Sequence, residues 1–307
     1  MRGTTRTLTL IAGLTAAVGA PFGAQAPPGP TSRAACNNMW PAWSHDGTRL
    51  VFASDRTGDP EVYVQALDGS AAQRLTHTPG RDAHPSFSPD GRQIAFQSPR
   101  EGIHTNLYLM DADGANQRRI SSHTGFAGMP VWSPDGRFLA YQWTPDLEAA
   151  KWRLMLLEIA TGTTRQLTEG SAQDQVINWA PDGKRFVFHS DRFGKNQLLS
   201  ITLDGAVQRL TTTAFDDRNG AWFPDGSRVA FLSDREGSPG GIFTMRADGT
   251  DSRRVATLAV GHGVPFVSPD GRRVLASPRA ANGSEIWAVD VANGAAALLV
   301  GCEPMRR

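Results

Sequence analysis

Six positions recur along the chain at intervals of 43 to 47 residues, and most carry groups able to do polar chemistry: Asn38, Asp82, Ala127, Asp174, Asp217 and His262. Arg81, His84, Asp216, Arg218 and Asn219 stand beside them. Three carboxylates with an amide and an imidazole, if brought to one opening, could hold Ca²⁺ or another divalent ion, with Asp82, Asp174 and Asp217 as the candidate ligands. The same groups could grip a cationic or polar segment of a partner. They could also act as acid and base in a hydrolase or lyase, provided their pKa values are driven apart. A fourth use is structural, with each residue capping a turn and bonding between repeats. Which use applies depends on the elements that carry them.

Composition narrows the classes. The chain has 307 residues, with 31 Lys and Arg against 30 Asp and Glu. The first 26 contain Arg2 and Arg6 and no acid, so the remainder carries a net charge of −1. That balance gives no electrostatic reason for sequence-independent binding to nucleic acid or to anionic lipid. Hydrophobic residues make up 40%, enough for a packed core. Beyond residue 26 no apolar run approaches the length of a membrane-spanning helix. The signatures G-x-S-x-G, H-E-x-x-H, C-x-x-C and the Walker loop do not occur. Asp111-Ala112-Asp113-Gly114 lacks the rest of a calcium loop and reads as a turn. His45, His77, His104, His123 and His189 share no register.

The N-terminus has the form of an export signal. Arg2 and Arg6 precede an apolar stretch from Leu8 to Gly19, and Ala24-Gln25-Ala26 fits a cleavage site. Residues 1–26 are therefore expected to be removed, and 27–37 to form a tether. The expected compartment is the periplasm or the exterior.

The remaining chain is repetitive. A tetrad recurs six times: Ser44-His45-Asp46-Gly47, Ser88-Pro89-Asp90-Gly91, Ser133-Pro134-Asp135-Gly136, Ala180-Pro181-Asp182-Gly183, Phe223-Pro224-Asp225-Gly226 and Ser268-Pro269-Asp270-Gly271. An aromatic precedes five of them (Trp43, Phe87, Trp132, Trp179, Trp222), and Val267 precedes the sixth. Pro presets φ, Asp bonds its local backbone and Gly takes positive φ, so each tetrad is a turn between strands. Apolar runs such as Leu50-Val51-Phe52 follow. A second turn of Asp-Gly, Asn-Gly or Thr-Gly type comes 22 to 26 residues later. Each repeat is thus four antiparallel strands. Six such units predict an all-β, six-bladed β-propeller over residues 38–302, with blades at about 38–78, 79–123, 124–170, 171–213, 214–258 and 259–302, and a tail at 303–307. In a propeller the six polar positions ring one mouth of the central channel.

Three turns read Ser-Asp-Arg, at Ser54-Asp55-Arg56, Ser190-Asp191-Arg192 and Ser233-Asp234-Arg235, and two read Ser-Pro-Arg, at Ser98-Pro99-Arg100 and Ser277-Pro278-Arg279. An Arg at one place in five blades is expected to pair with a nearby carboxylate or carbonyl and pin the turn. Blade three departs, with a longer segment from Trp143 to Trp152 and no such Arg. Its two Trp suit either a peripheral contact or packing on the blade.

The tetrads with their aromatics, the Ser-Asp-Arg-x-Gly turns and the Leu-Thr strand endings resemble the PD40 (WD40-like) repeats of the TolB family. The resemblance covers nearly all of the exported chain. It implies a propeller that binds a protein or envelope component at the channel mouth, with Asn38, Arg81, Asp82, His84, Asp174, Asp217, Arg218 and His262 as the residues available there. A monomer without a required cofactor is expected, with calcium as the candidate ion. TolB itself carries an N-terminal α/β domain, whereas here about a dozen residues separate the cleavage site from the first repeat. A metal-dependent hydrolase or lyase acting on a polar substrate, and a purely architectural scaffold, are the alternatives.

The two cysteines fit ring closure. Registering the repeats places Cys302 at the position of Thr78 and Cys36 at that of Gly80. In an unbroken connection those positions are two residues apart. Closure of the ring should therefore bring Cys36 and Cys302 within disulfide reach, in an oxidising compartment.

Overall fold

The tetrads do form turns, and the turns set the blades. In a computed structural model describing residues 36–149, 151–235, 240–257, 265–280 and 283–302, the backbone N–H of each tetrad glycine donates to the carbonyl three residues earlier, as from Gly47 to Ser44 at 2.9 Å. The tetrad serine donates to its own aspartate, Ser44 Oγ to Asp46 at 2.6 Å and Ser88 Oγ to Asp90 at 2.6 Å. These hydrogen bonds hold the Asp46 carboxyl at a pKa of about 2, with the Ser44 hydroxyl the largest cause. The expected signal peptide, the tether up to residue 35, His262 and the tail lie outside the described residues.

The protein is a six-bladed β-propeller with four antiparallel strands per blade. In the first blade these are Cys36–Trp43, Arg49–Ser54, Glu61–Ala66 and Gln73–Arg74, paired in chain order from the axis outward. Blades two to five repeat this order. The sixth pairs Arg273–Ala276, Ile286–Asp290 and Ala296–Val300. Its innermost segment joins through one antiparallel bridge, Val267 to Val274.

Blade sheets face each other, so both faces of the second and third strands are covered. This is why those strands read as unbroken apolar runs. The core lies between blades. Val51, Val62 and Leu75 of the first pack against Phe87, Ile94, Phe96 and Tyr108 of the second. Trp43, Leu50 and Tyr63 pack against Leu275, Ile286 and Val300 of the sixth. Each of the five pre-tetrad aromatics sits in one such cluster, and in the junction of blades five and six Phe223 and Val267 take that place. A buried side chain of this size contributes about 1.5–3 kcal/mol. The Leu-Thr endings have a separate job. The hydroxyls of Thr76, Ser121, Thr168 and Thr211 accept third-strand backbone N–H groups at 2.9–3.0 Å.

Closure of the ring uses two links. Cys36 and Cys302 form a disulfide with a Cα–Cα distance of 5.6 Å across 266 residues of sequence. The second link was not legible in the repeats. A hairpin of Arg279–Ala280 and Gly283–Ser284 adds in parallel to the start of the first strand, with Cys36 opposite Gly283. Gly283 has φ 130°, and a Cβ there would lie 1.9 Å from the Cys36 carbonyl oxygen, so no other residue fits.

The disulfide is expected to be complete in the native protein. Its intact mass should be lighter by two hydrogens than after reduction, and Cys302→Ser should lower stability by up to roughly 5 kcal/mol in the chain-entropy model. Two alkylatable thiols in the native protein would refute closure through this bond.

Candidate functional site

In blades two, four and five the start of the innermost strand is held by a clamp. Arg100 donates from Nε to Ser98 Oγ at 3.0 Å and from Nη2 to Asp82 at 2.6 Å. Arg192 does the same with Ser190 and Asp174, and Arg235 with Ser233 and Asp217, at 2.7 and 2.8 Å to the carboxylates. Each guanidinium also lies on aromatic rings of its own blade, Arg100 over Phe96 and Tyr108 at 5.1 and 4.9 Å. The aspartates are 0–1% exposed. The structure therefore puts Asp82, Asp174 and Asp217 inside their blades, each against its own arginine, rather than together at the mouth. Among the described residues no group of three or more His, Cys, Asp or Glu is placed to hold a metal ion.

Blade one carries Asn38 where blades two, four and five carry Asp, for a reason visible at the closure. Asn38 Oδ1 accepts Arg56 Nη2 at 2.7 Å, while its Nδ2 donates to the Gly301 carbonyl at 3.3 Å. A carboxylate could not donate. Blade three lacks both halves of the clamp. Ala127 replaces the acid, no Arg follows Thr144, and His123 Nε2 instead meets Tyr141 Oη at 2.7 Å. Trp143 and Trp152 are both engaged. Trp143 donates to the Thr124 carbonyl at 2.9 Å, and Trp152 is 9% exposed and packs edge-on against Phe126.

The side chains that do face the channel lie two residues further on. Trp40, His84, Met129 and Asn219 have φ of 50 to 57°, in the left-handed region that side chains larger than Gly rarely occupy. Each sits where the innermost strand shifts register against the second strand, a β-bulge repeated from blade to blade. All four are half-buried; three lie on strands that begin their sheets, and the strand of Trp40 has the Gly283–Ser284 segment on its other edge at Cys36 and Asn37. The bulge amides are caught by the preceding blade. Met129 N–H donates to Gln97 Oε1 at 2.9 Å and Asn219 N–H to His189 Nδ1 at 3.4 Å. Trp40 and His84 stack with ring centroids 4.0 Å apart, and the exposed Arg81 guanidinium lies over the Trp40 ring at 4.8 Å. Arg218 is half-exposed beside Asp216 at 3.4 Å. Of the sequence candidates, Arg81 and Arg218 are exposed and His84 is half-buried. Trp40 and Met129 were missed; the sequence trace of the bulge is the proline that follows in Trp40-Pro41, His84-Pro85 and Met129-Pro130.

The TolB β-propeller domain model (PD40) matches residues 30–146 and 106–303. The chain belongs to this family. A Tol-Pal system protein TolB of Francisella tularensis subsp. mediasiatica is 38% identical over 71 residues, which is 23% of this chain and 16% of that protein. An uncharacterized protein of Agrobacterium fabrum is 38% identical over 77 residues, 24% of this chain and 26% of that one. The matches thus span a quarter or less of this chain and about a quarter or less of those relatives. Among solved structures, TolB from Acinetobacter baumannii superposes with a TM-score of 0.70 at 20% identity, over 89% of this chain and 65% of that one. An oligogalacturonate lyase in complex with manganese superposes at 0.63 and 20% identity, over 86% and 77%. These two likenesses show the propeller fold.

Two outcomes follow from the clamp and the bulge. Arg100→Met leaves Asp82 buried without its counter-charge and should cost about 3–5 kcal/mol in urea unfolding, whereas Asp82→Ala combined with Arg100→Met, which copies blade three, should recover much of it. A double variant as unstable as the sum of the singles would refute the clamp. His189 is held neutral, with its pKa lowered from 6.5 to about 4, chiefly by burial. The folded state therefore binds fewer protons than the unfolded chain between those values. Its contribution is full above pH 6.5 and is lost as pH falls through 4. His189→Gln should flatten the rise of stability between pH 4 and 6.5; equal slopes in both proteins would contradict this.

Proposed function

We propose that this protein is an exported β-propeller that binds a polar segment of an envelope protein at the channel mouth carrying Arg81, Trp40, His84 and Arg218. One observation carries the reading: the stack of Arg81, Trp40 and His84, assembled from two blades on left-handed backbone. Such backbone costs of order 1–3 kcal/mol per residue. These rings stay partly exposed and lie outside the blade cores, so a ligand accounts for their placement. Trp and Arg are the side chains that dominate binding hot spots. The family and the N-terminal signal features support the envelope setting, and one relative is named for the Tol-Pal system. The reading needs no resident cation and no catalytic step, and the protein acts as a monomer.

The deciding experiment is crosslinked capture from the exported compartment with the tagged mature protein. Arg81→Glu with Arg218→Glu alters exposed charges and leaves the clamps intact. It should weaken recovery of a wild-type partner by about tenfold or more at unchanged melting temperature, and a chelator should have no effect. Recovery that survives both charge reversals would remove the mouth from consideration. Divalent-dependent turnover of oligosaccharide or peptide would favour the enzymatic reading instead.

A further inference from the structure

The opposite end of the channel is built differently. There the six tetrads meet in a ring, five of the glycines against the proline of the preceding blade. A Cβ on Gly136 would touch Pro89 at 3.8 Å, one on Gly226 would touch Pro181 at 3.4 Å, and one on Gly47 would touch Pro269 at 3.8 Å, which closes the circle. Where His45 replaces proline, Arg49 fills the gap and donates to the Gly91 carbonyl at 3.3 Å. The rim is therefore pinned at every junction.

Inside this rim lies a cavity of about 540 Å³ with walls from all six blades. Trp43, Phe87, Trp132, Trp179 and Trp222 line it together with His45 and the tetrad prolines, and among the described residues no Asp, Glu, Lys or Arg does. The guanidinium groups nearby stack on aromatic faces instead, Arg185 over Trp222 at 4.6 Å and Arg273 over Trp43 at 5.3 Å. One layer further in, the blades contribute Ala42, Ser86, Val131, Asn178 and Phe266. Ser86 is committed, donating to the Pro130 carbonyl at 2.7 Å. Asn178 Oδ1 accepts the Trp222 backbone N–H at 3.4 Å, which leaves its amide NH₂ as the donor offered to an occupant.

Volume and lining fall in the range of small-molecule sites, apolar walls with few directed polar groups. A charged occupant would lose hydration there and meet no Asp, Glu, Lys or Arg among the described lining residues, which disfavours it. We propose that this end of the channel binds an uncharged, largely apolar small molecule whose hydrogen-bond acceptor meets Asn178. The site is separate from the Arg81 mouth and does not rest on the partner reading.

The test is a titration of the mature protein with Prodan, an uncharged naphthyl ketone, in parallel with anilinonaphthalene sulfonate, an anion of similar shape. Prodan should bind saturably, with blue-shifted emission and quenching of the tryptophans that line the cavity. The sulfonate should bind about tenfold more weakly or less. Ser86→Phe, which fills the chamber, should weaken Prodan binding by about tenfold at similar melting temperature. Asn178→Leu, which keeps the shape and removes the donor, should weaken it by about fivefold and serves alone if the first variant does not fold. No saturable binding, equal binding of the sulfonate, or binding unaffected by Asn178→Leu would overturn the proposal. Loss of Prodan in Arg81→Glu would place the probe at the other mouth and overturn it equally.

Discussion

The buried pair between the arginine of the Ser-x-Arg turn and the acid at the head of the innermost strand is the interaction on which the blade depends. It ties the end of the second strand to the start of the first, across 18 residues, at the face where each blade would otherwise splay. Ladder pairing there spans only a residue or two, as in Asp217 with Ser233 and Arg218 with Leu232, before the innermost strand leaves register at its bulge. A buried charge without its partner is strongly unfavourable, so the two halves must be kept or lost together. Blade three has lost both, and His123 against Tyr141 occupies the vacated end. Blade one keeps the arginine but exchanges the acid for Asn38, because that one amide must accept from Arg56 and donate across the closure to Gly301.

The clamp also explains why the carboxylates are poor candidates for chemistry. Acidic residues at regular spacing around an opening look like a ligand ring when only positions are known. Spacing does not reveal the direction of a side chain. Here the direction is inward, toward an arginine from the same blade, and the charges are consumed in stability. What remains for an incoming molecule is the layer beyond, where strained backbone turns Trp40, His84, Met129 and Asn219 toward the axis.

Blade count, strand order, tetrad turns and the Cys36–Cys302 bond were legible in the sequence because each rests on a local rule or on repeat register. The Ser-x-Arg turn announced an ion pair without announcing its partner, which stands 18 residues earlier. The bulge was not legible. Its residues differ in chemistry from blade to blade, from indole to imidazole to thioether to amide, and only its backbone is shared. The parallel hairpin of blade six was hidden for a related reason, since backbone pairing of Gly283 with Cys36 leaves no side-chain pattern beyond the glycine.

The two ends of the channel follow from one division of labour along the innermost strand. At its head the residues are polar because they must satisfy buried arginines and the bulge amides; at its foot they are aromatic because they wedge the blades apart and carry the tetrads. A straight strand would expose the same alternation at both ends. The bulge breaks that alternation, so that the head carries stacked and basic groups while the foot is lined chiefly by aromatic rings and prolines. His189 belongs to this device. Its Nδ1 can accept the Asn219 amide only while the ring is neutral, and burial keeps it so. Protonation would set an N–H against an N–H at the point where the strand turns its side chains into the channel. The geometry of the mouth is thus tied to a single tautomer in the neighbouring blade.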